Sequence, residues 1–414
     1  MTWPGLSRLK KPWIAPGDGA DHITGLPLEL RAHIASFLPF RQVGQLSSLS
    51  RPWRRIHDHT PVVHVKLDDF LFLTNEMLDE DEDHPGVLDD DALAGLEDSL
   101  LRRRTEGSGS CKVDTLRISY TPDDARMARH ADRIIAAADA REICVKVPNS
   151  GKVSRVAWAV AVPPSTRDLE VVAFIHLAPA IAGPGAAALR TLLLHHAVIR
   201  EWPRLPSLRS LTALCVTVLA PFPPAAWYPQ LEYLGIFNSA IDLARVDICL
   251  PQLKVLEMDE VHVVPPGGAG KPLADVTVDS PVMEKLDMYC STGCTPDYGL
   301  FTARVPRLRH LTWHHQFAER VNVHFGSPSS VGSGSIVFTW NGGFHCRETK
   351  ECKALMMRML GGLLPELSSD GLADAARPYM TLDKYKVEDS DTGEMFPEEK
   401  LTCNLKALMT SREA

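Results

Sequence analysis

Apolar residues at helical spacing mark the stretch from residue 26 to residue 56. In its first part they recur in steps of three and four, which places them on one face of an α-helix: Leu26, Leu30, Ile34, Phe37 and Leu38. Pro27 suits the first helical turn, where its missing N–H is no loss, and Pro39 disfavours helical backbone at the residue before it. The pattern therefore predicts a helix of about three turns.

Two further short helices are predicted behind the first one. Their key residues are Val43, Leu46 and Leu49 in the second, and Pro52, Trp53 and Ile56 in the third. Domains below roughly 40 residues usually need help to fold, so three short helices make a poor core by themselves. We therefore expect residues 22–60, called the hook below, to present apolar surface to a partner. A plain helical cap on a larger domain is the alternative.

From residue 113 onward the pattern changes to a repeated Leu-x-x-Leu-x-Leu. The clear copies are LRTLLL at 189–194, LTALCV at 211–216, LEYLGI at 231–236, LKVLEM at 253–258, MEKLDM at 283–288 and LRHLTW at 308–313. Weaker copies surround Leu116, Ile143 and Leu169. A period of roughly 20 to 29 residues is typical of leucine-rich repeats, in which a short strand is followed by a helical or irregular return.

The predicted fold is α/β, a small helical hook followed by a leucine-rich-repeat solenoid, or horseshoe, with a C-terminal cap. A cap is expected because a terminal repeat has no outer neighbour to cover it. The predicted boundaries are a flexible leader at 1–21, the hook at 22–60, a connecting segment with an acidic loop at 61–111, repeats at 112–335, a terminal repeat or helical cap at 336–384, and an acidic tail at 385–414 whose order is left open.

The repeat geometry predicts a binding surface. Side chains alternate along a strand, so the leucines should point inward and the residues between them should point to the concave face. With Leu214 taken as the central leucine of its copy, Ala213 and Cys215 belong to the outward set. Aromatic and charged residues concentrate in the later copies, as interface anchors do, and the predicted target-binding residues are Tyr233, Phe237, Glu257, Asp259, Asp287, Tyr289 and His314.

Composition narrows the function further. The formal charge of −8, from 44 basic and 52 acidic residues, gives no basic footprint for nucleic acid. Nine cysteines are scattered through the chain and no apolar signal region is seen at the start, so we expect reduced thiols and a location in the cytosol or nucleus. No run of about 18 apolar residues occurs, so no membrane partner is expected.

Two loops resemble cation or phosphate sites but lack essential residues. In the acidic loop at 78–91, Asp79, Asp81 and Asp83 fit a calcium-loop spacing, yet His84 replaces the turn glycine and Asp90 the bidentate glutamate. The segment PPGGAGKP at 265–272 has prolines where a phosphate loop needs its first glycine and its final Ser or Thr. Calcium is therefore not predicted at the first loop, nor phosphate at the second, and other ligands of the acidic loop are left open.

Side chains of catalytic or metal-binding type also fail to form a known motif. Cys290 and Cys294 lie near three histidines, His310, His314 and His315, but their spacing matches no standard zinc module. His195 and His196 follow a repeat strand and have no Ser or Cys set in a nucleophile motif. The sequence therefore predicts no catalytic site, no cofactor and no metal.

The amino-acid sequence of the hook resembles the F-box of plant proteins. The matching residues are Leu26, Pro27, Glu29, Leu30, Ile34, Ser36, Phe37, Leu38, Pro39, Leu49, Ser50, Arg51, Trp53 and Arg54. Pro52 departs from the usual helix-compatible residue but is tolerated in a first turn. The segments PSLRSL, PQLEYL, PQLKVL and PRLRHL resemble the leucine-rich repeats of plant F-box proteins, over about residues 110 to 320.

The resemblance implies that the hook docks on a Skp-type adaptor and through it on a cullin, in an SCF-type cullin-RING ubiquitin ligase. It also implies which residues face the adaptor or shape the docking face: Leu26, Pro27, Leu30, Ile34, Phe37, Leu38, Pro39, Leu46 and Trp53. The chain would then be a non-catalytic substrate-recognition subunit whose repeats bind an unidentified target protein. The alternatives are a repeat protein that does not direct ubiquitin transfer, and an enzyme or small-ligand receptor that uses the repeat cavity.

Overall fold

The computed structural model describes most of the chain. The described residues are 23, 25–49, 51–72, 87–105, 111–148, 158–173, 177–264, 272–290, 298–315, 318–326, 331–341, 349–364, 369–388 and 395–410. The predicted leader at 1–21, most of the acidic loop and the PPGGAGKP segment up to residue 271 lie outside them.

The helices and strands of the chain are as follows. The helices are α1 (Leu28–Ala35), α2 (Phe40–Leu49), α3 (Asp90–Thr105), α4 (Ala125–Ala138), α5 (Thr349–Leu363), α6 (Ser369–Ala376) and α7 (Leu405–Thr410). The strands are β1 (Val62–Lys66), β2 (Leu71–Phe72), β3 (Val87–Leu88), β4 (Thr115–Ser119), β5 (Glu142–Lys146), β6 (Trp158–Ala161), β7 (Asp168–Val172), β8 (Pro179–Ala182), β9 (Thr191–His195), β10 (Val198–Ile199), β11 (Ser210–Leu214), β12 (Thr217–Val218), β13 (Tyr233–Ile241), β14 (Arg245–Cys249), β15 (Val255–Val263), β16 (Asp275–Asp279), β17 (Lys285–Tyr289), β18 (Tyr298–Arg304), β19 (His310–His314), β20 (Ala318–His324), β21 (Ser333–Asn341), β22 (Met380–Glu388) and β23 (Met395–Asn404).

The hook contains the two predicted helices and a tighter third element. Helix α1 starts after Pro27 but ends before Ser36, because the Ser36 Oγ donates to the His33 carbonyl at 2.6 Å and the next two N–H groups bond three residues back. The predicted helix to Leu38 is thus too long. The predicted third helix is two short 3₁₀ turns, Arg51–Trp53 and Ile56–Asp58.

Behind the hook the chain forms a parallel-strand solenoid. Its main sheet holds fifteen of the described strands. We call its successive parallel strands rungs; they are β1, β4 and then the odd-numbered strands from β5 to β21, in chain order. Each rung pairs in parallel with the next one. From β4 to β19, one inward residue of each rung stacks on its neighbours and is buried: Leu116, Ile143, Leu169, Leu192, Leu211, Leu234, Leu256, Leu286 and Leu311.

The repeat at 211–216 lies in a different register from the predicted one. Leu211, not Leu214, pairs with Leu192, and Ala213 pairs with Leu194 inside the core, where it is fully buried. The inward pattern is therefore LRSLTA at 208–213, with Leu208 also buried. Leu208, Leu211 and Leu214 are three residues apart, so Leu-x-x-Leu fits the sequence in two registers that differ in which face each side chain points to. The small Ala213 in the last core position made the wrong register look stronger.

The return side of the solenoid changes along the chain. Helices α3 and α4 pack together early on, whereas later returns are strands of a second parallel sheet, in the order β14, β16, β18 and β20. Alternating segments such as DVTVD in β16 favour strand because every second residue is buried. The two sheets share a core in which Phe301 lies edge-on to Trp313, with ring centroids 4.6 Å apart. The expectation of helical or irregular returns is thus wrong for these rungs.

The C-terminal segment is part of the fold. Strand β23 pairs antiparallel with β21, and β22 pairs with β23 and spans the predicted boundary at residue 384. Leu401, Cys403, Leu405 and Leu408 are buried, and α5 packs on β20. Within the part of the chain that is described, no helix has the length and apolar character needed to cross a membrane.

Candidate functional sites on the hook and on the main sheet

The apolar stripe of α1 points away from the protein. Leu30 is 50% exposed and Ile34 is 42% exposed, whereas Ala32 and Ala35 on the opposite side are buried. Phe37, just beyond the helix, is 71% exposed. We call Leu26, Pro27, Leu30, Ile34 and Phe37 the docking face. Large apolar side chains clustered in solvent mark a surface that binds another molecule.

The remaining predicted docking residues lie in the small core of the hook. Trp53 is buried with Ala32, Ala35, Val43 and Ile56, and Leu38 and Leu46 pack against this core half-buried. Pro39 is also half-buried and forms a β-bridge with His64 of β1. The structure thus places Leu38, Pro39, Leu46 and Trp53 beneath or beside the docking face, where they hold its shape.

Arg31 fixes the start of α1 against the third element of the hook. Its Nε donates to the Leu26 carbonyl at 3.0 Å, and another guanidinium nitrogen donates to the Pro52 carbonyl. The guanidinium carbon lies 5.9 Å from the centre of the Trp53 ring, within range of a cation–π contact. No spacing pattern in the sequence points to Arg31, because its hydrogen-bond partners are backbone carbonyls.

Arg103 of α3 joins the hook to the solenoid. It is only 2% exposed, and its guanidinium donates to the carbonyls of His57, Thr60 and Cys111. Burial lowers its pKa, and nearby Cys111 and Asp58 oppose that shift. Three carbonyls from two separate segments are thus satisfied by one side chain, which fixes the end of the hook on the first rungs.

On the main sheet, the outward residues of successive rungs form three rows, which we call the strand face. The first row is Thr191, Ser210, Tyr233, Val255, Lys285 and His310; the second is Leu193, Thr212, Gly235, Glu257, Asp287 and Thr312; the third is His195, Leu214, Phe237, Asp259, Tyr289 and His314. From Tyr233 onward the rows hold residues that the predicted repeats turn towards the concave face. The structure therefore brings all seven predicted target-binding residues onto one surface.

Lys285 organises the charges at the centre of the strand face. Its Nζ lies 2.7 Å from Asp287 Oδ2 and 2.6 Å from Glu257 Oε1, and these hydrogen bonds, with Asp287 first, raise its pKa. Tyr233 donates its hydroxyl proton to Glu257 Oε2 at 2.7 Å. Burial and this bond to a carboxylate raise the pKa of Tyr233. The sequence does not single out Lys285, because its contact with Glu257 joins residues of different strands and depends on their register.

Asp259 lies between two aromatic residues of the third row, Phe237 and Tyr289. Burial raises the pKa of Asp259, and the carboxylates of Glu260 and Glu257 add to the shift. Its Oδ1 is buried and has no hydrogen-bond partner among the described residues. The ion pairs of Lys285 involve Glu257 and Asp287, so Asp259 adds a further carboxyl group to the strand face.

His314 completes the strand face beside Tyr289. Their ring centroids are 5.7 Å apart, and His314 Nε2 lies 3.2 Å from Ser335 Oγ. Burial, with a smaller effect from Lys400, lowers the pKa of His314. The imidazole therefore tends to be neutral, and the charge of the strand face stays negative around it.

The hook matches a known domain family. Residues 23–59 match the F-box domain. The F-box of this chain is therefore the segment that carries the docking face, and the match covers the hook predicted at 22–60. Searches of curated proteins and of solved structures gave no match.

Proposed function

We propose that this F-box protein is a substrate-recognition subunit of an SCF-type cullin-RING ubiquitin ligase. The observation that carries the proposal is the outward docking face of the F-box, since F-box domains generally bind Skp-type adaptors. In this proposal the solenoid is a leucine-rich-repeat array and its strand face binds the target protein. The chain acts in the cytosol or the nucleus.

The docking face has the chemistry of a protein interface. Leu30, Ile34 and Phe37 offer large apolar groups in solvent, and Pro27 is exposed beside them. Burying such a face against an adaptor favours binding by about 25 cal/mol for each Å² of apolar area removed from water. Trp53 and its neighbours form a buried core below the face, so the face is already shaped before binding and little order has to be gained.

The strand face supports a target with basic groups. Glu257, Asp259 and Asp287 outnumber Lys285, and Tyr289 is an aromatic side chain that is 39% exposed. Aromatic anchors with a surplus of one charge are typical of surfaces that select a complementary partner. A segment rich in lysine or arginine is the complement of this surface.

In this proposal the chain itself only positions the target protein. Holding a target near a ubiquitin-charged enzyme raises the effective concentration of its lysines and needs no catalytic group on the F-box protein. Docking and target binding occupy different surfaces, the F-box and the strand face, so each can be removed separately by substitution.

Co-purification with a Skp-type adaptor tests the proposal. The double substitution Ile34→Asp and Phe37→Asp should weaken adaptor binding at least about tenfold, because it puts two charges on a face that must be desolvated. Both side chains are exposed, so the fold should persist. Leu101→Asp is the matched control, since Leu101 is an exposed apolar residue of α3 outside the F-box.

Unchanged adaptor binding by the double variant, with the control also binding, would contradict docking through this face. Binding alone does not distinguish a ligase receptor from a repeat protein that uses the adaptor for another purpose. Target turnover does: partners captured by the strand face should be degraded faster with the wild-type F-box than with the double variant. Equal turnover would favour the protein that does not direct ubiquitin transfer.

A further inference from the structure

One edge of the strand face is a corner at which successive rungs bend in the same way. Directly after the third row, the backbone enters the left-handed region at five stacked positions: His196, Cys215, Asn238, Glu260 and His315, with φ between 47° and 60°. Cys290 occupies the same place on the rung between Glu260 and His315, as its N–H bond to the His314 carbonyl shows. We call these six residues the corner row.

The side chains of the corner row are unusual for this backbone. Left-handed conformation favours glycine or asparagine and costs other residues roughly 1 kcal/mol. Four of the five positive-φ positions carry histidine, cysteine or glutamate instead, all of which are metal ligands. Backbone strain kept for such side chains is an observation from which a function can be inferred.

Two neighbouring members of the corner row converge with His262. Glu260, His262 and Cys290 offer an oxygen, a nitrogen and a sulfur that all lie within 4.8 Å of one another. Stacking of the rungs brings Cys290 beside Glu260, and its Sγ donates to Glu260 Oε2 at 3.6 Å. Ligand atoms around tetrahedral zinc are roughly 3.4 to 3.7 Å apart, by its usual bond lengths, so small side-chain rotations suffice to close the set.

We infer that Glu260, His262 and Cys290 form a transition-metal site of the zinc class at the corner of the solenoid. One thiolate, one imidazole and one carboxylate are a donor set of the kind zinc takes, whereas magnesium and calcium take oxygens. The fourth ligand of the metal would be a water molecule, on the side of exposed His262, or the side chain of His315 on the next rung. The sequence does not predict this site, because Glu260 and His262 lie about thirty residues before Cys290 and only the rung register joins them.

Cobalt titration of the purified full chain, stripped of metal and kept reduced, tests the site. One equivalent of Co²⁺ should produce a sulfur-to-cobalt charge-transfer band, and one equivalent of Zn²⁺ should abolish it. Cys290→Ser should lose the band. Cys215→Ser should keep it, because Cys215 belongs to the same corner row two rungs before Glu260 and lies outside the donor set.

His262→Ala provides a second variant that should fold, since His262 is exposed whereas Cys290 is 1% exposed. Loss of this ligand should weaken cobalt binding at least about tenfold. No band in the wild-type protein would overturn the inference. So would a band of equal strength in Cys290→Ser or equal affinity in His262→Ala, and the contact of Cys290 with Glu260 would then be a thiol–carboxylate hydrogen bond only.

Discussion

At the scale of single residues, two arginines whose partners are backbone carbonyls stabilise the F-box: Arg31 acts within it, and Arg103 fixes it on the solenoid. Arg31 reaches the carbonyls of Leu26 and Pro52, and Arg103 reaches those of His57, Thr60 and Cys111. A buried carbonyl left without a donor costs about 1 to 3 kcal/mol. These side chains are therefore structural, although their charge alone would suggest a surface role.

Replacing Arg103 by leucine should destabilise the protein by about 3 kcal/mol, because the carbonyls of His57, Thr60 and Cys111 lose their donor together. Chemical denaturation followed by circular dichroism measures the change. Arg102→Leu is the matched control, since Arg102 is the preceding residue of the same helix and is exposed; it should change the free energy of unfolding by less than about 0.5 kcal/mol. Equal losses in the two variants would show that the carbonyl contacts of Arg103 do not stabilise the fold.

At the scale of elements, the sequence predicted where strands and helices form better than it predicted which of their side chains are buried. The helical spacing around Leu30 and Ile34 was recognisable, but Ala32 and Ala35 are also apolar, and only packing shows that the alanines face inward. Rung register was predicted at the other copies, and it failed at 211–216, where leucines three residues apart fit two registers. The ion pairs of Lys285 and the corner row could not be predicted, because they join residues of different rungs.

The junction between the F-box and β1 should be sensitive to acid. Burial is the main cause that lowers the pKa of both His57 and His64, although Asp58 opposes the shift at His57. The unfolded chain therefore binds more protons than the folded one as the pH falls below about 6.5, the ordinary histidine pKa, and stability decreases over that range. Hydrogen exchange of peptides from residues 25 to 66 should accelerate as the pH falls from 7 towards 5, after correction for the intrinsic rate.

Replacing His57 and His64 by glutamine should reduce this acid sensitivity, because neither side chain can then take up a proton. His33→Gln is the control, since His33 is exposed on α1. If the double variant and the control show the same pH dependence, other groups weaken the junction in acid.

At the scale of the whole molecule, the solenoid is a stack in which each rung is stabilised by its neighbours. The F-box rests on the first rungs through the β-bridge of Pro39 and the contacts of Arg103. At the other end, β23 covers the last parallel rung, β21, with seven paired residues. Two surfaces with different chemistry result, an apolar docking face on the F-box and a negatively charged strand face on later rungs.

This arrangement predicts that the C-terminal segment is needed for the stability of the solenoid. A chain that ends at residue 394 lacks β23 and α7, which exposes the backbone edge of β21 and the core around Ile336 and Phe338. Open strand edges with apolar residues associate, so the shortened protein should aggregate or melt at a clearly lower temperature than the full chain. A chain that ends at residue 410 keeps every described element and should melt like the full protein. If the chain ending at 394 stays monomeric with an unchanged melting temperature, β23 does not stabilise the last rung, and the solenoid ends at β21.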